Sequence, residues 1–257
     1  FDRNLIVIGA GAGSLVTSYI AAAVKAKVTL IEAGEMGGDC LNYGCVPSKA
    51  IIKSAKVLSQ FQQAKKYGLD NTNVTFSFKK VMQRVHDVIA EIAPHDSVER
   101  YTELGVEVIK GYAIFVDPWT VEISLNDGSK QRLSARNIVI ATGARPFVPP
   151  LPGIEDSAYV TSDTMWAEFA KLEDAPKKLV VLGGGPIGCE LAQAFARLGS
   201  EVSQIELAKR IMTKEDEEVS EFAMQSLRDS GVNVLTEHEA LRFEQRDGKK
   251  FITVKHD

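Results

Sequence analysis

Behind Phe1 the chain carries a polar triplet, Asp2-Arg3-Asn4, and then runs through four consecutive apolar residues, Leu5-Ile6-Val7-Ile8, into a cluster of glycine and alanine. A short apolar run closed by glycine predicts a strand buried on both faces. The same pattern returns once. Residues 5–32, LIVIGAGAGSLVTSYIAAAVKAKVTLIE, align without a gap to residues 179–206, LVVLGGGPIGCELAQAFARLGSEVSQIE, at an offset of 174. Each copy passes from its apolar run through a glycine-rich turn into an alanine-rich helix. Each closes on a second strand that ends in an acid. The pattern is that of one βαβ nucleotide-binding unit used twice. The offset is too long for a solenoid period, so two domains are predicted.

Between the copies, helical patterning covers 47–66 and 79–104, with Pro94 expected to bend or break the second helix. Residues 120–125 alternate as a strand does, Asn126-Asp127-Gly128 turns the chain, and 137–141 reads as another buried strand. The cluster Pro146, Pro149, Pro150 and Pro152 reads as a stiff connector. The domain boundary is placed there, giving 1–149 and 150–257, both incomplete. A charged helix is expected over 215–230, and strands near 232–235 and 251–254. The fold class is α/β, with two Rossmann-like domains built on parallel sheets.

Composition narrows the function classes. With 257 residues, 45% hydrophobic and 25% charged, the chain can bury an ordinary core. A net charge of −4 leaves no electrostatic footprint for nucleic acid. No apolar run reaches the roughly 18–20 residues a membrane span needs, and no signal peptide is visible. A chain that starts at Phe1, without methionine, reads as a piece of something longer. Three cysteines, Cys40, Cys45 and Cys189, are too few and too odd in number for a secreted disulfide scaffold. A cytoplasmic protein is expected, with the close pair used in chemistry or metal binding.

The first turn is Gly9-Ala10-Gly11-Ala12-Gly13-Ser14. Gly9 permits the tight turn and Gly11 lets the backbone approach a pyrophosphate. The helix that follows directs free N–H groups at the phosphate. Ser14 stands where a third glycine is usual, so looser helix–strand packing is expected. Glu32 ends the second strand, where a carboxylate can accept from ribose hydroxyls. The second turn, Gly183-Gly184-Gly185-Pro186-Ile187-Gly188, has all three glycines, with Glu206 at the ribose position. An acid there favours a free 2′-hydroxyl, hence NADH over NADPH, while Lys209 and Arg210 pull the other way.

The stretch Met36-Gly37-Gly38-Asp39-Cys40-Leu41-Asn42-Tyr43-Gly44-Cys45-Val46-Pro47-Ser48-Lys49 carries the most chemistry. Cys40 and Cys45 can close a disulfide if the loop curls, which Gly44 assists. Pro47 suits the first turn of a helix. Cys45 then falls at or just before an N-terminus, the end that favours a thiolate. Lys49, one turn on, adds positive charge on the same face. A zinc site needs four ligands, and no further Cys or His follows at metal spacing. The redox reading is therefore preferred, with no metal.

GGDCLNYGCVPSK resembles the active-site signature of the class I pyridine nucleotide–disulfide oxidoreductases, a family that includes mercuric reductase and dihydrolipoamide dehydrogenase. Ala141-Thr142-Gly143-Ala144-Arg145-Pro146 resembles the family's strand–turn beside the flavin, and GGGPIGCELAQAFARLGSEV its NAD(P)H turn. The likeness runs along essentially the whole chain, and PHDSVERYTELGV is most like the mercuric-reductase branch. The resemblance implies a flavoprotein that uses FAD and NADH or NADPH, with the NAD(P) domain inserted in the FAD domain. It implies FAD contacts at Gly37, Gly38 and Asp39 and at Ala141, Thr142 and Gly143. Cys45 would be the sulfur against the flavin, and Cys40 the one that meets substrate. Lys49 and Glu190 match a pair by the flavin N5 edge. Glu190 is expected in the first turn of the second Rossmann helix, where the plainer reading is a capping carboxylate.

The family's second FAD motif, its C-terminal dimerisation domain and that domain's His–Glu pair are not among these residues. His86, His95, His238 and His256 are each expected on the surface or in loops. The intact protein would be a homodimer that acts on a small-molecule substrate, a disulfide or mercuric ion. The alternatives are a dihydrolipoamide dehydrogenase running towards NADH, or a nucleotide-binding piece without turnover. The isolated 257 residues are expected to be inactive.

Overall fold

Runs of β-branched and leucine residues set the strands, and alanine-rich segments behind glycine turns set the helices that cover them. The computed structural model describes residues 1–70 and 74–256. In chain order the elements are β1 (Arg3–Ile8), α1 (Ala12–Ala23), β2 (Val28–Glu32), α2 (Gly38–Asn42), α3 (Cys45–Gln62), α4 (Phe78–Ile92), α5 (Val98–Glu103), β3 (Val106–Asp117), β4 (Thr120–Leu125) and β5 (Lys130–Ile140). Then come α6 (Met165–Phe169), β6 (Lys178–Leu182), α7 (Pro186–Arg197), β7 (Glu201–Ile205), α8 (Glu217–Asp229), β8 (Asn233–Leu235), β9 (His238–Arg246) and β10 (Lys249–His256). The chain divides into two compact units. One holds Phe1–Pro47 and His86–Pro146; the other holds Ser48–Val85 and the chain from Phe147 on. Most of the α3–α4 segment therefore packs with the second unit.

In the first unit β3, β2, β1 and β5 form a parallel sheet, in that order. Two long strands leave this sheet for a second layer. β3 pairs with β2 over 106–110 and with β4 over 111–117. β5 pairs with β4 over 130–134 and with β1 over 135–140. The exchange at Gly111 needs glycine, because a Cβ there would lie 2.7 Å from the Ser124 carbonyl oxygen. The central strands are covered on both faces, as the apolar run predicts. Val7, Val28, Leu30 and Val106 pack with Leu15 and Ala22 of α1 and Tyr101 of α5. Ile6, Ile8 and Ile31 pack with Val121, Ile123 and Leu133 of the antiparallel layer.

The second unit repeats the first three strands: β8, β7 and β6 are parallel, in that order. The two βαβ copies hold their alignment closely. α1 and α7 begin and end at positions 174 apart, and Gly9 and Gly183 have φ of +101° and +100°. Phe195 of α7 is 1% exposed and meets Phe169 edge-on, with ring centroids 5.4 Å apart. One expectation fails here. β6 is not buried on both faces, since Val180 is 43% exposed. The reason is position: among the described residues β6 has only β7 as a neighbour.

Pro94 breaks the predicted 79–104 helix, where a 3-10 turn (Ala93–Asp96) separates α4 from α5. The proline-rich connector carries no regular structure through 141–150 and reaches β9, where the Phe243 N–H donates to the Pro152 carbonyl. The predicted strand at 251–254 is the middle of β10. β10 pairs antiparallel with β9, which charged alternation concealed in the sequence.

Candidate functional site

Both glycine turns lie at the C-terminal ends of β1 and β6, where open α/β sheets place their ligands. The same hydrogen bonds shape each. The Gly9 N–H donates to the Ile31 carbonyl at 2.7 Å, and the Gly183 N–H to the Ile205 carbonyl at 2.8 Å. Glu32 accepts from the N–H groups of Ala10 and Gly34, each at 2.5 Å. Glu206 accepts from Gly184 at 2.6 Å and Ala208 at 2.7 Å. Each acid thus ties the loop after its own strand to the turn after the neighbouring strand. A ribose would meet a carboxylate whose orientation is already fixed.

Gly11 and Gly185 sit at the N-caps of α1 and α7 with extended backbone, and no side chain caps either helix. Neither first turn contains an acid. A Cβ built on Gly11, Gly13 or Gly185 would meet nothing within 4 Å among the described residues. Free N–H groups facing open space, with no competing carboxylate, suit a pyrophosphate. Gly9 is obligatory for another reason: a Cβ would fall 2.3 Å from the Ala141 carbonyl oxygen. That close approach arises because Ala141 continues β5 past β1, its N–H donating to Ile8. Thr142 follows, and Gly143 turns the chain at φ +71°. Ser14 is fully buried, its hydroxyl reaching towards the Ala141 carbonyl at 3.4 Å. Its counterpart Gly188 has no such room, since a Cβ would lie 2.5 Å from the Gly183 carbonyl oxygen. Pro186 opens α7 and Ile187 is 63% exposed.

The cysteine loop is folded against the first turn. Gly37 bridges to Gly11 as a strand partner, and a Cβ on Gly38 would come within 2.6 Å of the Gly11 Cα. Asp39 lies in the first turn of α2, and its carbonyl accepts from the N–H groups of Tyr43 and Gly44. Asn42, which spacing alone did not single out, donates to the Met36 and Gly38 carbonyls at 3.0 and 2.9 Å. α3 begins at Cys45. The two cysteines stand as thiols in hydrogen-bonding contact, and the Cys45 N–H also reaches the Cys40 sulfur. Burial, and after it the neighbouring Cys45 thiol, raises the Cys40 thiol above the ordinary range, against the pull of that N–H. Cys189 is 8% exposed, and burial raises its thiol too.

In the second unit Lys49 and Glu190 meet, Nζ to Oε2, at 2.6 Å. Glu190 is not in the first turn of α7 as expected: the helix starts at Pro186, which sets Glu190 one turn in, past the capping positions. The capping reading therefore gives way to the ion pair. Arg210 donates to the carbonyls of Met212, Thr213 and Glu215, so its guanidinium is occupied within its own loop. His95 and His256 are exposed, as expected, whereas His86 and His238 are only partly so. His86 lies in α4 with a buried Nε2, and His238 and His256 lie on paired strands. Among the described residues no group of three or more His, Cys, Asp or Glu stands together as a metal site would, and no helix is long and apolar enough to cross a membrane.

Two parallel sheets thus carry matched glycine turns, and the loop that brings Cys40 and Cys45 together packs against the first of them. The profile of the pyridine nucleotide-disulphide oxidoreductases matches residues 3–257, and the chain belongs to that family. Relatives include a mercuric reductase of Bacillus cereus, 33% identical over 95% of this chain and 37% of its own length. A dihydrolipoyl dehydrogenase of Geobacillus stearothermophilus is 36% identical over 98% of this chain and 52% of its own. Among solved structures, the HOCl-induced flavoprotein disulfide reductase RclA of Escherichia coli superimposes with a TM-score of 0.80 at 26% identity, over 99% of this chain and 53% of that one. The chain thus spans about half or less of the length of these relatives.

Proposed function

We propose that the chain is the nucleotide-binding portion of an enzyme that carries electrons from NAD(P)H through FAD to a Cys40–Cys45 disulfide, and on to a disulfide or mercuric-ion substrate. The observation that carries this reading is the contact of the Cys40 sulfur with Cys45 at the start of α3, in a loop whose Gly38 rests on the Gly11 turn. Functionally, residues 1–149 belong to FAD and 150–257 to NAD(P)H. Gly9, Gly11, Ser14, Glu32, Gly37, Gly38, Asp39 and the Ala141–Thr142–Gly143 turn would hold FAD. Gly183, Gly185, Pro186, Ile187, Gly188 and Glu206 would hold the nicotinamide nucleotide. FAD, when bound, supplies acceptance of a hydride and delivery of two electrons.

The chain's own sulfurs do the rest. Reduction of the Cys40–Cys45 bond leaves Cys40 free to attack one sulfur of a disulfide substrate as thiolate, releasing the other as a thiolate. Cys45 then attacks Cys40, releases the second thiolate and restores the internal disulfide. Cys45 stands at the head of α3 and is the partner that closes the bond again. NADH is favoured over NADPH, because Glu206 repels a 2′-phosphate and Arg210 is committed elsewhere. The likeness to the Geobacillus dehydrogenase supports a second reading, oxidation of dihydrolipoamide with NAD as acceptor. Steady-state assays of the full-length protein in both directions separate the two. NADH oxidation with lipoamide, oxidised glutathione or mercuric ion supports the first. NAD reduction by dihydrolipoamide, with little reverse flux, supports the second.

A further inference from the structure

At three adjoining places beneath their glycine turns the two βαβ copies hold different chemistry. Where the first copy has Ser14, Leu15 and Leu30, the second has Gly188, Cys189 and Gln204. Leu15 and Leu30 belong to an apolar core cluster. Gln204 is buried as completely as Leu30, yet it carries an amide. Its Nε2 donates to the Gly183 carbonyl at 3.0 Å and lies 3.5 Å from the Cys189 sulfur. A carbonyl can only accept, so the NH₂ end must face Gly183. Oε1 is then left buried, without a partner among the described residues. Gly188 is what admits the amide, since a Cβ there would stand 3.3 Å from Nε2 and 2.5 Å from the Gly183 oxygen. A buried amide with an unpaired oxygen costs stability in a way that a leucine does not. Stability alone therefore gives no reason for Gln204.

The amide grips one end of a peptide unit whose other end is also held. The Gly183 carbonyl and the Gly184 N–H share a rigid trans plane and point in opposite directions. Gln204 takes the carbonyl, and Glu206 Oε2 takes the N–H at 2.6 Å. The next unit is held on its carbonyl side. The Gly184 oxygen accepts from the Met212 N–H at 2.7 Å and from the Cys189 thiol at 3.4 Å, which turns the Gly185 N–H away from them. We propose that Gln204 is a positioning residue for the nicotinamide nucleotide: it locks the Gly183–Gly184 peptide against Glu206, and so fixes the carboxylate that would meet the ribose. This rests on the reading of the second turn as the NAD(P)H site. A nucleotide that exchanges at every turnover gains most from a turn held rigid before it arrives.

The test is calorimetric titration of the oxidised full-length protein with NAD, which does not reduce the flavin, in wild type, Gln204→Met and Gln204→Leu. Methionine keeps the length of the side chain without the donor, and leucine is the residue of the first copy. We expect the Kd for NAD to rise about tenfold in each, as loss of one hydrogen bond would do. The urea midpoint should hold or rise, and the FAD content should stay that of wild type. If Gln204→Leu does not fold, Gln204→Met decides. An unchanged Kd in Gln204→Met, or a rise accompanied by a fall in the urea midpoint, would overturn the proposal. A wild-type protein with no affinity for NAD or NADP would instead remove the nucleotide reading of the second turn, and the role of Gln204 with it.

Discussion

Cys40 lies in the short helix α2 and Cys45 opens α3, and the surroundings of the two sulfurs differ. Cys40 is half-buried and accepts the Cys45 N–H, whereas Cys45 is exposed at the head of α3. Mild oxidation should therefore link Cys40 to Cys45 and leave Cys189 alone, since Cys189 is buried. Peptide mapping after alkylation checks this, and a bond from Cys189 to either of the others would refute it. The glycines make a graded prediction. Gly9→Ala forces a Cβ against the Ala141 carbonyl at φ +101° and should cost more than about 2 kcal/mol. Gly143→Ala, at φ +71° with open space around it, should cost about 1–2 kcal/mol. Urea unfolding distinguishes them. Glu107 offers a pH test. Its burial alone would raise its pKa, but bonds from Thr29 and Arg3 outweigh that and hold it below the ordinary range. Its contribution is present above the ordinary glutamate value of about 4.3 and is lost as pH falls through the lower folded value. Glu107→Gln should therefore lose stability at pH 7, with the gap to wild type closing towards pH 3. Asn42 and the Arg3–Thr29–Glu107 group were invisible in the sequence. Their partners are backbone carbonyls or lie up to 104 positions away, and no short spacing encodes either.

At the scale of elements, the βαβ copies were legible because three constraints recur together: an apolar strand, a glycine turn and an acid in fixed register. The structure adds why the acid matters to the fold as well as to a ligand. Glu206 receives two backbone N–H groups, so Glu206→Ala leaves both donors without their carboxylate. We expect a loss of about 1–3 kcal/mol in stability, together with a narrower preference for NADH over NADPH in the full-length protein. An unchanged kcat/KM ratio for the two nucleotides would remove Glu206 from the ribose site. The ion pair of Lys49 and Glu190 makes the opposite case. Both side chains are roughly half exposed, so Glu190→Gln should change stability by less than about 1 kcal/mol. A slower NADH-dependent reduction of the cysteines in that variant would then report function. β9 escaped the sequence reading because its HEALRFEQR lacks an apolar run, and β6 misled it because four apolar residues do not reveal how many neighbours a strand has.

For the whole molecule, the family and the α/β class could be read from the motifs, but what the α3–α4 segment packs with could not. The helices around the α3–α4 segment follow the cysteine motif in sequence and yet pack with the second unit. Helical periodicity reveals an apolar face and not what that face meets. The central claim is that reducing equivalents arrive at Cys40 and Cys45 and nowhere else among the sulfurs. Its direct test is differential alkylation of the oxidised, FAD-bound protein before and after anaerobic addition of NADH, read by mass spectrometry. The account predicts that Cys40 and Cys45 become alkylatable together, two thiols per chain, while Cys189 does not change. A Cys40–Cys45 pair that stays oxidised while the flavin is bleached would contradict it.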